Sequence, residues 1–247
     1  MSTAERVGRG PGETLHDRLL DEWGKAIVSG GVPVGDHLPA PTCAVGLPSR
    51  TVTREVVRVL ESMGLVDVRR KAGVRVRPRE HWNIFDPQVI AWRLQAPQRD
   101  QVLQELSQLR AGVEPLAARL AAQCAGPEDW TGLTQAAIDM TSHSQHASGM
   151  EYLEADERFH RALLKASGNS MFAALGDVIA AVLQGRTRLS LMPEHANEEA
   201  LRLHSDVAAC IRAHEAGSAE GAMRQIVDES DQAIAQLTGR WLERAHG

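Results

Sequence analysis

Aromatic residues are scarce, with Phe 3, Trp 5 and Tyr 1 making up 4% of 247 residues. That scarcity argues against a β-sandwich built on rings and against a platform that stacks bases. It leaves an aliphatic, alanine-rich core, for which helices are the natural form. Cysteine is equally thin. Cys43, Cys124 and Cys210 are odd in number and far apart, and no Cys-x-x-Cys occurs. Neither a disulfide framework nor a thiolate zinc site is expected, and a reducing compartment fits. No run of about 18 apolar residues, the length that spans a membrane, is present. Met1-Ser2-Thr3-Ala4-Glu5-Arg6 is followed by no apolar signal segment. The expectation is therefore a cytoplasmic chain. A composition 43% hydrophobic and 24% charged excludes a disordered or collagen-like chain and suits one large domain or two of common size.

Positive charge is also in short supply overall, 27 Lys plus Arg against 32 Asp plus Glu for a net of -5. Taken as an average, that opposes non-specific coating of nucleic acid. The average hides a reversal. Between residues 50 and 79 stand nine cations (Arg50, Arg54, Arg58, Arg69, Arg70, Lys71, Arg75, Arg77 and Arg79) against Glu55, Glu61 and Asp67, a net of +6 that leaves -11 for the rest. Such a split reads as two parts, of which one faces a polyanion.

A polar, glycine-rich arm precedes Thr14 to Ser29, where Leu15, Leu19, Trp23 and Ile27 recur every four residues and Gly30-Gly31 stops the helix. Ser49 to Met63 forms a second helix, with Ser49 as N-cap and Val52, Val56, Val59, Leu60 and Met63 as its apolar stripe. Gly64 ends it. Leu65 to Arg69 and Val74 to Arg77 then alternate apolar and basic residues around Lys71-Ala72-Gly73, the pattern of a hairpin. Helix, helix and basic hairpin is the order of a winged helix-turn-helix. Ser49, Arg50, Thr51, Thr53 and Arg54 would face the bases from the recognition helix, and Arg69, Arg70, Lys71 and Arg75 would reach phosphates or the minor groove from the wing. The plainer alternative is that these arginines only solvate a small α+β domain.

Residues 81–99 read as a linker between a DNA-binding domain (1–80) and a C-terminal domain (100–247). From about residue 100 the pattern is helical throughout, at 100–124, 127–147, 151–167, 170–190, 197–216 and 219–243, which makes an antiparallel bundle. The fold class expected is mainly α. Three helices carry polar residues on their inner faces. Asp156 and His160 share a face with Tyr152, Phe159 and Leu163, and His204 sits at the centre of a stripe formed by Leu201, Val207 and Ile211. An Asp and two His facing inward suit a divalent transition metal, zinc first. A metal-free Asp156–His160 hydrogen bond, with His204 satisfied elsewhere, explains the spacing equally well. Arg110, flanked by Leu103, Leu106, Val113 and Ala117, either pairs within its helix with Glu114 or grips a carboxylate in the bundle interior. His143, His146 and His195 read as exposed loop histidines.

Together these residues resemble the GntR superfamily of bacterial transcription regulators, in its FadR-type subfamily with an all-α (FCD) effector domain. The DNA-binding half is similar through Leu38-Pro39, Ser49-Arg50-x-x-Thr53-Arg54-Glu55-Val56-x-Arg58-Val59-Leu60-Glu61, Gly64-Leu65-Val66 and Gly73. The effector half is similar through Arg110-x-x-Val113-Glu114-Pro115-x-Ala117-Ala118, Asp156-x-x-Phe159-His160-x-Ala162-Leu163, Asn169 and His204-x-x-Val207-x-x-x-Ile211. Two departures are visible. The segment Ala40 to Pro48, where the family forms its second helix, is short and carries two prolines and a glycine. Position 226, where the family's usual pattern has a third histidine, is Ile226. The stretch Trp82-Asn83-Ile84-Phe85-Asp86-Pro87-x-Val89-x-x-Trp92 resembles that of a branch responding to sugar acids. The resemblance implies a homodimeric repressor released from operator DNA by an aldonate, with Arg110 on the carboxylate, Asp156, His160 and His204 holding the metal, and Asn197 near a distal hydroxyl. The alternatives are a metal-dependent hydrolase or lyase of a small organic acid, for which no general acid or base stands out, and a sensor of acyl chains.

Overall fold

The computed structural model describes residues 14–41, 48–69 and 73–245, with side chains as far as residue 235. The chain divides into two compact units, Met1–Pro97 and Gln98–Gly247.

In the first unit, α1 (Leu15–Val28) starts at Thr14, which forms a reciprocal capping box with Asp17. Helix α2 (Arg50–Ser62) starts at Ser49, whose Oγ accepts from Val52 N at 3.2 Å. Its stop is steric as well as conformational. Gly64 has φ +74, and a Cβ there would lie 2.1 Å from the His81 carbonyl oxygen. Strand β1 (Val66–Arg69) then pairs antiparallel with β2 (Gly73–Val76), Val66 opposite Val76 and Arg69 opposite Gly73. The other edge of β2 is covered by Gly35 to Leu38, through Gly35 N to Val76 O at 2.8 Å and Leu38 N to Val74 O at 3.1 Å. This is the expected winged helix-turn-helix. The shortened segment falls mostly on residues 42–47, and the wing residues Arg70 and Lys71 on 70–72, all outside the described residues.

Most of the segment 81–99, expected to be a linker, falls within the first compact unit, which runs to Pro97. Asp86 caps a further helix, α3 (Pro87–Arg93), and Trp82, Val89, Trp92 and Ala96 complete the core formed by Leu19, Trp23, Val56 and Leu60. The Trp92 ring lies so close to Gly24 on α1 that a Cβ at Gly24 would stand 2.3 Å from it, and its Nε1 donates to Asp21 Oδ1 at 2.7 Å. Trp82 Nε1 donates to Arg77 O at 3.0 Å. Two indoles are too large an apolar area to leave in water, so the segment folds back onto the first unit.

The second unit consists of α4 (Arg99–Cys124), α5 (Pro127–Ser142), α6 (Met150–Ala166), α7 (Ser170–Ala174), α8 (Gly176–Arg188), α9 (Glu198–Arg212) and α10 (Ala216–Ala245), with no strand among the described residues. Three details differ from the sequence reading. The helix expected at 127–147 stops at Ser142 and continues as a 3-10 turn, the one at 170–190 is two helices meeting at Leu175, and the last begins at Ala216 with Gly217 inside its first turn. A single glycine costs about 1 kcal/mol, little against a helix of 30 residues. Helix α4 packs against α6, α9 and α10, and α5 against α6 and α9. Ala118, Ala121, Ala122, Ala136 and Ala208 lie between them, and their small side chains let the helices approach around Phe159, Leu163, Met140 and Ile211.

Candidate functional site

Inside the second unit, α4, α6, α8, α9 and α10 enclose a pocket of about 460 Å³. Helix α6 contributes Tyr152, Asp156 and His160, a turn apart along one face. From α9 comes His204, and from α4 Arg110. The structure brings the three expected metal ligands together: Asp156, His160 and His204 are all buried, and each offers a ligand atom within 4.8 Å of the others. His160 Nε2 is 3.2 Å and His204 Nε2 3.7 Å from Asp156 Oδ1. Asp156 Oδ1 and His204 Nε2 are buried without hydrogen-bond partners. A buried carboxylate oxygen and an imidazole nitrogen converging in this way are the donors a divalent ion requires.

What turns the two rings is visible in their other nitrogens. His204 Nδ1 is 2.6 Å from the Ala200 carbonyl oxygen, which only accepts, so Nδ1 carries the proton and Nε2 the lone pair. His160 Nδ1 faces Glu114 Oε1 at 2.9 Å, an ionic contact rather than an aligned hydrogen bond, and this carboxylate likewise draws the proton to Nδ1. Phe159 braces His204 in an edge-to-face arrangement, with ring centroids 4.8 Å apart. Glu114 has a second partner, Arg110 Nε at 3.0 Å. The intrahelical pair weighed from the sequence therefore exists, and it also leaves the far end of Arg110 in the pocket. There Nη1 reaches Ser230 Oγ at 3.4 Å, and Nη2 lies 3.5 Å from His160 Nε2.

Charge balance in this cluster is tight. Burial alone would raise the Glu114 carboxyl, but Arg110 and His160 outweigh it and hold its pKa at about 2. Burial likewise opposes ionisation of Asp156, yet contacts from His160 and His204 keep it well below the usual carboxylate range. In metal-free protein the same carboxylates overcome the burial of His160 and push its pKa up to about 9.

Asn197, the proposed distal contact, caps α9 by accepting from Glu199 N at 2.9 Å and also donates to Glu229. It lines the pocket with one Nδ2 hydrogen to spare. His195, read from the sequence as a loop residue, is exposed and bonded to the Gln145 carbonyl, yet it too borders the pocket. Sequence reasoning missed Arg186, Ser230 and the second contact of Glu114. A signal for Arg186 was present, since it continues the stripe Ile179, Val182, Leu183 by one turn, as Arg110 continues its own.

In the first unit, Arg50, Thr51 and Arg54 are exposed on the opening turns of α2 and Thr53 is half-buried. The Ser49 hydroxyl is occupied as the cap. On the wing, Arg69 Nε pairs with Asp67 at 2.7 Å and Arg75 Nη1 donates to Gly35 O at 2.7 Å.

A winged helix-turn-helix unit followed by a helical unit is the architecture of a transcription regulator. The FCD domain matches residues 105–229. The chain is 30% identical to the galactonate operon transcriptional repressor of Escherichia coli strain K12, over 90% of this chain and 97% of that one. Its fold is similar to that of a solved Listeria monocytogenes protein, Lar (TM-score 0.57, 16% identity, covering 92% of this chain and 100% of the other). It is also similar to that of E. coli McbR/YncC (TM-score 0.52, 15% identity, 92% and 99%). The chain belongs to the GntR family of transcription regulators, in the branch with an FCD domain. Its relatives are regulators and not enzymes, which removes the hydrolase-or-lyase alternative. No helix among the described residues is long and apolar enough to cross a membrane.

Proposed function

We propose that this protein is a homodimeric repressor released from its operator by a small sugar acid, an aldonate, bound beside a divalent metal ion in the second unit. The observation that carries the reading is the convergence of Asp156 Oδ1, His160 Nε2 and His204 Nε2 with both outward imidazole nitrogens already held by acceptors. Those three side chains would hold the ion, zinc first, which when bound supplies a positive charge for the carboxylate or 2-hydroxyl of the acid. Ile226 lines the pocket in place of a fourth protein ligand, so the ion's remaining positions are free for the effector's oxygens. Arg110 offers its Nη atoms to the carboxylate while Glu114 holds its Nε. Asn197 stands further along the lining for a distal hydroxyl. At about 30 Å³ per water, a cavity of about 460 Å³ holds some 15 water-sized atoms. A six-carbon hydroxy acid, with about 13 heavy atoms, matches it. The E. coli relative, a galactonate operon repressor, points to the same class.

Ligand binding would favour one dimer geometry over another and so change the spacing of the two recognition helices. Elemental analysis of protein purified without a histidine tag tests the metal. We expect about one ion per chain in the wild type and none in Asp156→Ala, and equal occupancy in the two would overturn the assignment. At the DNA face, Arg54→Ala is expected to weaken operator binding by about 1–3 kcal/mol, roughly five- to 150-fold, in a mobility-shift titration at fixed salt. An unchanged midpoint would remove Arg54 from the interface.

A further inference from the structure

Arg186, on α8, enters the effector pocket with a buried Nε that has no hydrogen-bond partner. Natural cores rarely leave a buried charged donor unpaired, because the loss is larger than for a neutral group. Arg110 differs, since Glu114 and Ser230 already engage it. Burial and the like charge of Arg110 both press the Arg186 guanidinium downward in pKa, so the two cations feel each other across one cavity. Asp156, Tyr152 and Asp231 lie within its field as well. Asp156 is committed to the two histidines, and burial and the Asp156 charge keep Tyr152 a neutral phenol. Asp231 and Glu229 are both half-buried, and Glu229, which lines the pocket, is bonded to Asn197.

With a divalent ion in place, the ion, Arg110 and Arg186 are the cations of the pocket, against the buried carboxylates of Glu114 and Asp156 and the half-buried one of Glu229, which Asn197 engages. The ion and Arg110 suffice for one carboxylate, which leaves the unpaired Arg186 Nε for a second anionic group. We propose that Arg186 is a second anion anchor, and that the preferred effector is a short polyhydroxylated acid carrying a further carboxylate or a phosphate at its far end. This rests on the sugar-acid reading of the same pocket and narrows it.

Isothermal titration of the full-length, zinc-loaded protein tests the assignment with probes of matched carbon skeleton. Gluconate and galactonate carry one carboxylate, glucarate and galactarate carry two, and 6-phosphogluconate ends in phosphate. In the wild type we expect at least one doubly anionic probe to bind about tenfold more tightly than its singly charged partner, the value of one added charge-assisted contact. In Arg186→Gln that advantage disappears, the singly charged acids change by less than about threefold, and the ligand-free melting temperature does not fall. Arg186→Lys, which keeps the charge but not the fork, retains part of the advantage. Preference for the two-carboxylate probes or for the phosphate one identifies the second group. Singly charged acids binding as well as the others to wild type, or Arg186→Gln weakening all probes alike, overturns the proposal while leaving the sugar-acid reading standing. Failure of all five probes to bind wild type overturns both.

Discussion

Exchanging Glu114 for alanine is expected to lower the unfolding free energy of the second unit by about 3–5 kcal/mol, the cost of breaking a buried ion pair by removing one partner. The side chain of Glu114 is fully buried and that of Arg110 2% exposed, so neither charge can reach the protein surface when its partner is lost. The same carboxylate faces His160 Nδ1 at 2.9 Å, so the variant also loses the group that fixes that ring. Outer partners of this kind are worth about 10- to 100-fold in metal affinity. Glu114→Gln separates the two effects, because the amide keeps the shape and a hydrogen bond to Arg110 but not the charge. Urea titrations in chelator, followed by zinc titration against a competing indicator, read stability and metal affinity independently. If Glu114→Ala unfolds within about 1 kcal/mol of wild type, the buried pair does not carry the weight assigned to it.

Trp92→Ala should cost the first unit about 3–5 kcal/mol, the range for deleting a large buried aromatic. Trp92 is 1% exposed, lies face-on to Gly24 and is anchored through Nε1 to Asp21. Small domains hold only about 5–15 kcal/mol in total, so operator binding at growth temperature should be severely weakened. The pocket lies wholly in the other unit, and a thermal shift induced there by the proposed effector should persist. Gly24→Ala attacks the same contact from the α1 side and should cost about 1–3 kcal/mol by overpacking. A Trp92→Ala protein that binds operator with wild-type affinity would show that α3 is dispensable to the reader.

Much of this molecule was legible because its helices obey a simple rule, apolar inside and polar outside, and the site breaks it. Asp156, His160, His204 and Arg110 stand out against stripes of Ala, Leu and Val, so periodicity alone found them. Glu114 was visible only as the i+4 neighbour of Arg110. Its second contact crosses from α4 to α6, and no spacing along one helix encodes a contact between two. Arg186 went unnoticed because the break at Leu175 hid the start of its helix, and with it the phase of its stripe. The segment 81–99 reads as a linker for a related reason. Seven residues of α3 are too few for a period to declare itself, and Trp92 takes its meaning from Gly24, more than fifty positions away.

The fold of that segment also decides where the chain can be cut and rejoined. A reader severed at residue 80 would leave behind Trp82, Val89, Trp92 and Ala96, a substantial part of the core that surrounds Leu19 and Leu60. The smallest fragment with a complete core runs to Pro97, where the first unit ends. Exchange of readers between relatives of this family must therefore carry α1 and α3 together, since an indole from one parent meeting a side chain other than glycine from another would be obstructed at the contact between Gly24 and Trp92.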